Sequence, residues 1–307
     1  MNSAISKVKS SLFRYSKEAK KFNRLSYQEL VKFNDFKKTN ENKLVLSFGA
    51  GRCGQNWFSK VFNSHSNWVG SIERFSDFEA FYRFITYYDL PIYKDNFIKL
   101  IKLSSKRDMS LYNNSFIASP YFSFGVKELV DRLSPDSFFF QIRNSIKTIE
   151  SLYAKDWYLN LDRILEINSP MIDVSTDQYR SFSRIIPKDE YINEWKKLSR
   201  IGKITWYLCI SNKSILNDFN KIDHKKKFLL KLEDIDQNYN FYEKISEIFN
   251  FEKKLIKKKF LEIINKPSNK GNSKKYLYKN WSSKEKNEYN EVIQRFFPNY
   301  DSLKTNL

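Results

Sequence analysis

KLVLSFGAGRCGQNWF, residues 43–58, is the stretch of this sequence that decides its fold. Residues 43–48 form a short apolar run that predicts a buried strand, and the run ends abruptly in a glycine-rich segment, residues 49–54. Beyond that segment, apolar side chains recur at helical spacing, at Trp57, Phe58, Val61 and Phe62. The stretch therefore predicts a strand, a tight loop and a helix within residues 43–64.

Strands and helices continue to alternate on the C-terminal side of this stretch. Apolar runs predict strands at 116–119, 137–142 and 227–232. Helical periodicity predicts helices at 75–112 with a break near Pro91, and at 126–133, 146–153, 190–212, 239–249, 252–264 and 283–296. This alternation predicts an α/β fold with a mostly parallel central sheet flanked by helices. We expect it to be a P-loop-like nucleotide-binding fold, because folds with such a sheet bind ligands at the carboxyl ends of their strands.

The chain is expected to divide into a short arm and one domain. Residues 1–42 are polar and basic with a weak helical pattern, which predicts a basic helical N-terminal arm. Residues 43–307 predict a single α/β domain, because a chain with 41% hydrophobic and 17% aromatic residues can bury a sizeable core. We find no apolar run of about 18 residues and no secretory signal, so we expect a cytoplasmic protein without a membrane span.

The composition narrows the classes of function. The formal net charge of +19 favours anionic ligands, and the even spread of lysine favours a composition bias over the entire chain as its main cause. The basic residues form no stripe and the aromatic residues fall in apolar patterns, so no specific nucleic-acid partner is expected, although a basic nucleic-acid-binding protein is a rival. Only two cysteines and two histidines are present, so no metal site is expected.

The glycine-rich segment has the features of an anion cradle. Glycines let the backbone curl so that its N–H groups point at one spot, the following helix N-terminus adds partial positive charge, and Arg52 adds a fork of donors. It is not a Walker A loop. Gly49 and Gly54 have that spacing, but Gln55 and Asn56 stand where Lys and Ser/Thr are needed. A divergent P-loop kinase or NTPase is therefore disfavoured, and a turn that binds nothing is the other alternative.

Arg143 and Ser151 form a second candidate element. Arg143 directly follows the predicted strand 137–142, and Ser151 lies about two turns along the next helix. An arginine at the carboxyl end of a strand, followed by a helix N-terminus, is well placed for a phosphate. The alternative is a surface charge and an ordinary helix residue.

The loop resembles the 5'-phosphosulfate loop of sulfotransferases that use 3'-phosphoadenosine 5'-phosphosulfate (PAPS). Arg52, Gly54 and Trp57 match that motif in register. The resemblance implies that PAPS is bound by Gly51, Arg52, Cys53, Gly54, Gln55, Asn56 and Trp57, of which Cys53, Gln55 and Asn56 depart from the family pattern. Trp57 would then stack on the adenine, and a core tryptophan is the alternative interpretation.

Two further blocks extend the resemblance over about residues 43–300. Arg143 and Ser151 match the pair with which the family binds the 3'-phosphate of PAPS. The Lys270-Gly271 pair resembles part of the family's basic C-terminal segment, which implies that these two residues also reach the 3'-phosphate. A mobile basic loop is the alternative for that segment.

The segment from His65 through Gly70 to Glu73 resembles the His-Pro…Gly-Glu stretch of tyrosylprotein and bacterial sulfotransferases. In that register Glu73 stands at the catalytic glutamate, which implies that it is the base that takes the proton of the acceptor. His65 stands at a position that is usually structural; it is the second candidate for the base, with a helix-terminal cap as its alternative. Arg52 would stabilise the charge that develops during the transfer.

The resemblance as a whole implies a transferase that moves a sulfuryl group from PAPS to a hydroxyl or amine of a saccharide or other small-molecule acceptor, without a metal. The acceptor site is expected in residues 74–115 and 155–190, with Ser119 and Lys127 as further candidate contacts near the next strand end. A divergent P-loop kinase or NTPase and a nucleotide-binding protein without turnover are the alternatives. The sequence leaves the acceptor and the oligomeric state open.

Overall fold

The computed structural model describes residues 27–159, 184–188, 190–236, 238–265 and 276–306. Within these ranges five strands form one parallel sheet: β1 Lys43–Phe48, β2 Trp68–Ile72, β3 Asn114–Ser119, β4 Ser137–Ile142 and β5 Lys227–Lys231. The spatial order of the strands is β2-β3-β1-β4-β5. The predicted α/β fold with a parallel central sheet is thus confirmed.

Helices flank this sheet along the described chain. They are α1 Tyr27–Val31, α2 Gln55–Asn63, α3 Ser76–Tyr87, α4 Asp95–Tyr112, α5 Val126–Leu133, α6 Ser145–Tyr153, α7 Ile192–Lys197, α8 Arg200–Lys221, α9 Leu232–Ile235, α10 Tyr239–Ile248, α11 Lys257–Asn265 and α12 Ser283–Phe296. Short 3₁₀ turns lie at Pro120–Ser123 and Tyr278–Asn280. The break expected near Pro91 falls between α3 and α4.

The sheet is buried on both faces because its side chains alternate between two apolar cores. On β4, Phe138 and Phe140 belong to a core formed with α5 and α8, whereas Phe139 belongs to a core formed with α2 and α10. All three rings are fully buried. Burial on both faces explains why β4 has three consecutive apolar residues, 138–140, and not an alternation of apolar and polar residues.

The helix expected over residues 190–212 is two helices, so that prediction was wrong. Helix α7 ends at Lys197 and α8 begins at Arg200. Leu198 between them is extended, and the Ser199 hydroxyl caps α8 by accepting a hydrogen bond from the backbone N–H of Gly202 at 3.2 Å. The apolar periodicity runs through this cap, which is why the pattern alone does not reveal the break.

Strand β2 has no counterpart in the sequence prediction. It lies at an edge of the sheet, and the side-chain amide of Asn63 takes the place of a neighbouring strand. That amide donates to the Gly70 carbonyl oxygen at 2.6 Å and accepts from the Gly70 N–H at 3.0 Å. Because a glycine interrupts a short apolar run, β2 lacks the pattern that marks the central strands.

Only the end of the predicted N-terminal arm lies within the described residues. Helix α1 packs against α4, and Leu30 is fully buried there. Residues 1–26 lie outside the described residues. No helix in the described part of the chain is both long and apolar enough to span a bilayer.

The order of the sheet changes direction between β1 and β4, which are neighbours. The chain that leaves β1 continues to β2 on one side of the sheet, and the chain that leaves β4 continues to β5 on the other side. The two loops therefore diverge and leave a crevice at the carboxyl edge, where open α/β sheets bind their ligands. Arg52 and Arg143 lie on these two loops.

Candidate functional site

The loop of residues 49–54 closes tightly against the neighbouring strand. A Cβ at Gly49 would lie only 2.7 Å from the Gln141 carbonyl oxygen, and Gly51 and Gly54 have φ angles of 91° and 105°. Arg52 has a φ of 60°, a left-handed conformation that costs a non-glycine residue about 1–2 kcal/mol. The curled shape of the loop therefore depends on its glycines. The rest of the structure keeps this shape although it forces Arg52 into an unfavourable backbone conformation.

The loop leads into α2, whose first turn has no side-chain cap. Gln55, the first residue of α2, is 3% exposed, and its Nε2 has no hydrogen-bond partner within the described residues. Asn56 beside it is half-buried. Backbone N–H groups at a helix N-terminus and a buried amide donor are groups that a bound anion would satisfy.

Arg52, Ser151 and Arg143 meet at the crevice between β1 and β4. Nε of Arg52 donates to Oγ of Ser151 at 2.7 Å, and Nη1 of Arg143 donates to the Arg52 carbonyl oxygen at 3.4 Å. Ser151 and Arg143 are 99 and 91 positions from Arg52 in the sequence. All three residues are half-buried, so the structure brings together the residues that two separate motifs selected.

The two guanidinium groups in this crevice repel each other. Burial and then the charge of Arg143 lower the pKa of Arg52, while the charge of Glu73 acts in the opposite direction. Two like charges close together are unfavourable, and a bound anion removes the repulsion. The crevice is therefore suited to phosphate or sulfate groups.

The turn that carries Arg143 is held by residues that the sequence analysis does not select for this role. Glu233 in α9 accepts hydrogen bonds from the backbone N–H of Asn144 with both carboxylate oxygens, at 3.2 and 3.1 Å, and lies 3.9 Å from Nε of Arg143. The hydroxyl of Tyr300 donates to the Arg143 carbonyl oxygen at 2.9 Å. No local pattern marks these contacts, because Glu233 is 89 positions from Asn144 and Tyr300 is 157 positions from Arg143.

Glu73 lies at the same edge of the sheet as the loop. Its backbone N–H donates to the Ala118 carbonyl oxygen at 3.1 Å, which extends the pairing of β2 with β3, and its side chain is exposed. Burial and the charge of Glu73 raise the pKa of Tyr121, and the same carboxylate acts on Arg52. The structure therefore places Glu73 beside the loop and within electrostatic range of its arginine.

Glu79 is a second carboxylate near this edge, and the sequence analysis does not select it. It lies on α3, is fully buried, and accepts a hydrogen bond from the Phe75 backbone N–H at 2.9 Å. Burial raises the pKa of Glu79 to about 7, although the Ser119 side chain and the Phe75 N–H act to lower it. A glutamate in a helical pattern usually faces solvent, so only its burial distinguishes Glu79.

His65 lies at the amino ends of the strands, on the side of the sheet opposite to the loop. It follows α2, which runs back from the loop, and it precedes the five residues of β2, which separate it from Glu73 by about 16 Å. Its ring is buried and stacks on Phe251 with a centroid distance of 3.9 Å. Burial lowers the pKa of His65 to about 4. The structure thus does not bring His65 to the crevice.

Trp57 and Cys53 are both buried in the protein. Trp57 is 7% exposed, and its ring packs edge-on against Phe58 and Phe260 at 4.7 and 5.9 Å between centroids. Cys53 carries a free thiol, and burial raises its pKa to about 12. The Cys53 thiol is therefore neutral at ordinary pH, and Trp57 contributes to the aromatic core behind the loop.

The remaining residues that the sequence analysis selects are Ser119, Lys127, Lys270 and Gly271. Ser119 is fully buried at the end of β3. Lys127 is exposed on α5, where it forms an ion pair with Asp131 at 2.5 Å. Lys270 and Gly271 lie outside the described residues.

The fold and the site define a class of protein. It is a parallel α/β protein with a glycine-rich loop, bearing an arginine, at the point where the strand order changes direction. Comparisons with models of protein families, with curated protein sequences and with solved structures found no match for this chain. The geometry and chemistry of the site are therefore the basis for assigning a function.

Proposed function

We propose that the protein is a PAPS-dependent sulfotransferase that acts on a hydroxyl or amine of a saccharide or other small-molecule acceptor. The observation that carries this proposal is the meeting of Arg52, Arg143 and Ser151 in one crevice. PAPS carries one anionic group at its 3' position and another at its 5' position. Two arginines from two different loops suit such a donor, whereas ATP and AMP have no 3'-phosphate for the second arginine.

The loop residues fit the 5' side of the donor. Backbone N–H groups in the first turn of α2 and the buried amide of Gln55 supply donors for phosphosulfate oxygens, and Arg52 balances their charge. On the 3' side, the phosphate would be bound by Arg143 and Ser151. The hydrogen bond from Arg52 to Ser151 holds the residues proposed for the two anion subsites side by side, so one donor molecule can contact both.

The transfer requires charge stabilisation and a base. The acceptor oxygen forms a bond to sulfur while the bond between sulfur and the 5'-phosphate oxygen breaks, and the leaving product is 3'-phosphoadenosine 5'-phosphate (PAP). Arg52 and the N-terminus of α2 stabilise the negative charge that PAP carries away. The carboxylate of Glu73 takes the proton of the acceptor. Glu73 is exposed at the same edge as the loop, so an acceptor can reach both.

A thermal-shift comparison of PAP, AMP and ATP with magnesium tests the donor. A ligand at a hundredfold excess over its Kd stabilises the fold by about 2.7 kcal/mol. We expect PAP to stabilise the protein far more than AMP or ATP. Equal shifts with PAP and AMP would refute the proposal, and a dominant shift with ATP and magnesium would favour the kinase or NTPase alternative. PAP binding without conversion of PAPS to PAP would indicate a nucleotide-binding protein without turnover.

A further inference from the structure

A second pair of arginines lies close to the loop. Arg83 on α3 is fully buried, and its Nη1 donates to the hydroxyl of Tyr207 at 2.6 Å. The same hydroxyl donates to the carbonyl oxygen of Ala50 at 3.2 Å. Arg83 is therefore one side chain away from the backbone of the glycine-rich loop, although it has no part in the crevice that holds Arg52 and Arg143.

Aromatic rings join Arg83 to the second arginine of the pair, Arg184. The guanidinium of Arg184 lies 3.8 Å from the centroid of the Trp157 ring, and that of Arg83 lies 4.9 Å from the centroid of Tyr121. The rings of Trp157 and Tyr207 are 4.4 Å apart between centroids. These five residues, here named the arginine–aromatic cluster, form one connected group in which flat rings orient two cations.

The positive charges of Arg83 and Arg184 repel each other. Burial lowers the pKa of Arg184 to about 10, and the charge of Arg83 acts in the same direction, while Tyr158 and Tyr121 oppose the change. Two guanidinium charges in partly dehydrated surroundings repel each other, and a nearby anion offsets that repulsion. Because Arg83 is fully buried and Arg184 is half-buried, the anion would contact Arg184 and act on Arg83 through its charge. Arg52 and Arg143 in the crevice repel each other in the same way, so there are two arginine pairs near the loop whose charges an anion would balance.

The cluster borders the place where the transfer would occur. Tyr121 is within electrostatic range of Glu73 as well as of both arginines. Tyr121, Trp157 and Arg184 are half-buried, so a ligand can reach the cluster from their side. Arg83 belongs to residues 74–115, and Trp157 and Arg184 belong to residues 155–190. These are the two segments that the sequence analysis expects to form the acceptor site; residues 160–183 and 189 of the second segment lie outside the described residues.

We infer that the arginine–aromatic cluster binds a carboxylate or phosphate group of the acceptor, and that its rings pack against the ring that carries the reacting hydroxyl. This inference rests on the proposed function, because it assigns the cluster to the acceptor and the Arg52–Arg143 crevice to the donor. The anionic group takes no part in the bond changes: the hydroxyl oxygen bonds to sulfur, PAP leaves, and Glu73 takes the proton. An acidic sugar, a sugar phosphate or a hydroxylated aromatic acid has this combination of groups.

Matched pairs of ligands test the inference on the full chain saturated with PAP. Calorimetry compares glucuronate with glucose, glucose 6-phosphate with glucose, and 4-hydroxybenzoate with 4-hydroxybenzyl alcohol. We expect the charged member of at least one pair to bind about tenfold or more tightly than its neutral counterpart, as a charge-assisted contact would give. The first two pairs separate a carboxylate from a phosphate as the preferred group, and the third tests an aromatic ring.

Two arginine variants then test whether Arg184 causes the preference for the charged ligand. Arg184→Met should abolish it while PAP affinity stays unchanged. Arg295→Met is the control, because Arg295 also lies over a tyrosine ring, at 4.6 Å from Tyr191, but is an exposed residue paired with Glu194. If no charged ligand binds better than its neutral counterpart, or if the preference survives in Arg184→Met, the inference is wrong while PAP binding still supports the donor site. A wild-type protein that does not bind PAP overturns the proposed function and this inference together.

Discussion

Replacing Arg143 by alanine tests whether this arginine binds the nucleotide or only stabilises the fold. Its guanidinium is held only loosely: Nη1 is 3.4 Å from the Arg52 carbonyl oxygen and Nε is 3.9 Å from the nearest Glu233 oxygen, with 28% of the side chain exposed. Both contacts are long, so their loss should change the free energy of unfolding by less than about 1 kcal/mol. By contrast, each charge-assisted hydrogen bond to a 3'-phosphate is worth about 1.5–3 kcal/mol.

Calorimetric titration with PAP and with AMP measures this difference. Arg143→Ala should weaken PAP binding by about 1.5–3 kcal/mol, roughly 10- to 150-fold, and should leave AMP binding nearly unchanged. The matched control is Arg132→Ala, which removes an arginine that pairs with Asp95 from the last turn of α5. It should bind PAP like the wild type. Unchanged PAP affinity in a folded Arg143→Ala variant, or an equal loss for PAP and AMP, would refute the assignment.

Four further substitutions test the proposed base, the buried carboxylate and the tryptophan behind the loop. Glu73→Gln should lower PAP formation from PAPS by about 10²–10⁴-fold at unchanged PAP affinity, and His65→Gln should not. A larger loss in His65→Gln than in Glu73→Gln, at unchanged stability and PAP affinity, would contradict the assignment of the base to Glu73. Burial raises the pKa of Glu79 to about 7 from an ordinary 4.5, so the wild type loses about 3 kcal/mol of stability as the pH rises from 4.5 through 7. Glu79→Gln should lack this loss, and urea unfolding at pH 5 and pH 8 that shows the same change in both proteins would contradict the reasoning. Trp57→Ala should lose about 3–5 kcal/mol of unfolding free energy because its ring fills the core beside Phe260. Normal stability with lost nucleotide affinity would instead support stacking on adenine.

Local sequence patterns sufficed for the elements around the loop. The apolar runs predict β1 and β4 at their observed bounds, because strands that are buried on both faces have mostly apolar side chains at successive positions. The glycines at 49, 51 and 54 predict the tight loop, since its backbone requires close approach and positive φ angles. Prediction fails where the pattern is interrupted or conceals a boundary: Gly70 hides β2, and the periodicity does not show that Ser199 caps a new helix.

The sequence by itself determined the fold class and the chemical character of the loop, because both depend on residues that are near one another in the chain. It left His65 and Glu73 as alternatives for the proposed base, and only the tertiary structure shows that β2 lies between them, with Glu73 on the side of the loop. The hydrogen bond between Arg52 and Ser151, at 2.7 Å, likewise depends on the strand order. Residues about 100 positions apart meet there because β1 and β4 lie side by side while their outgoing loops diverge, and no local pattern encodes that arrangement.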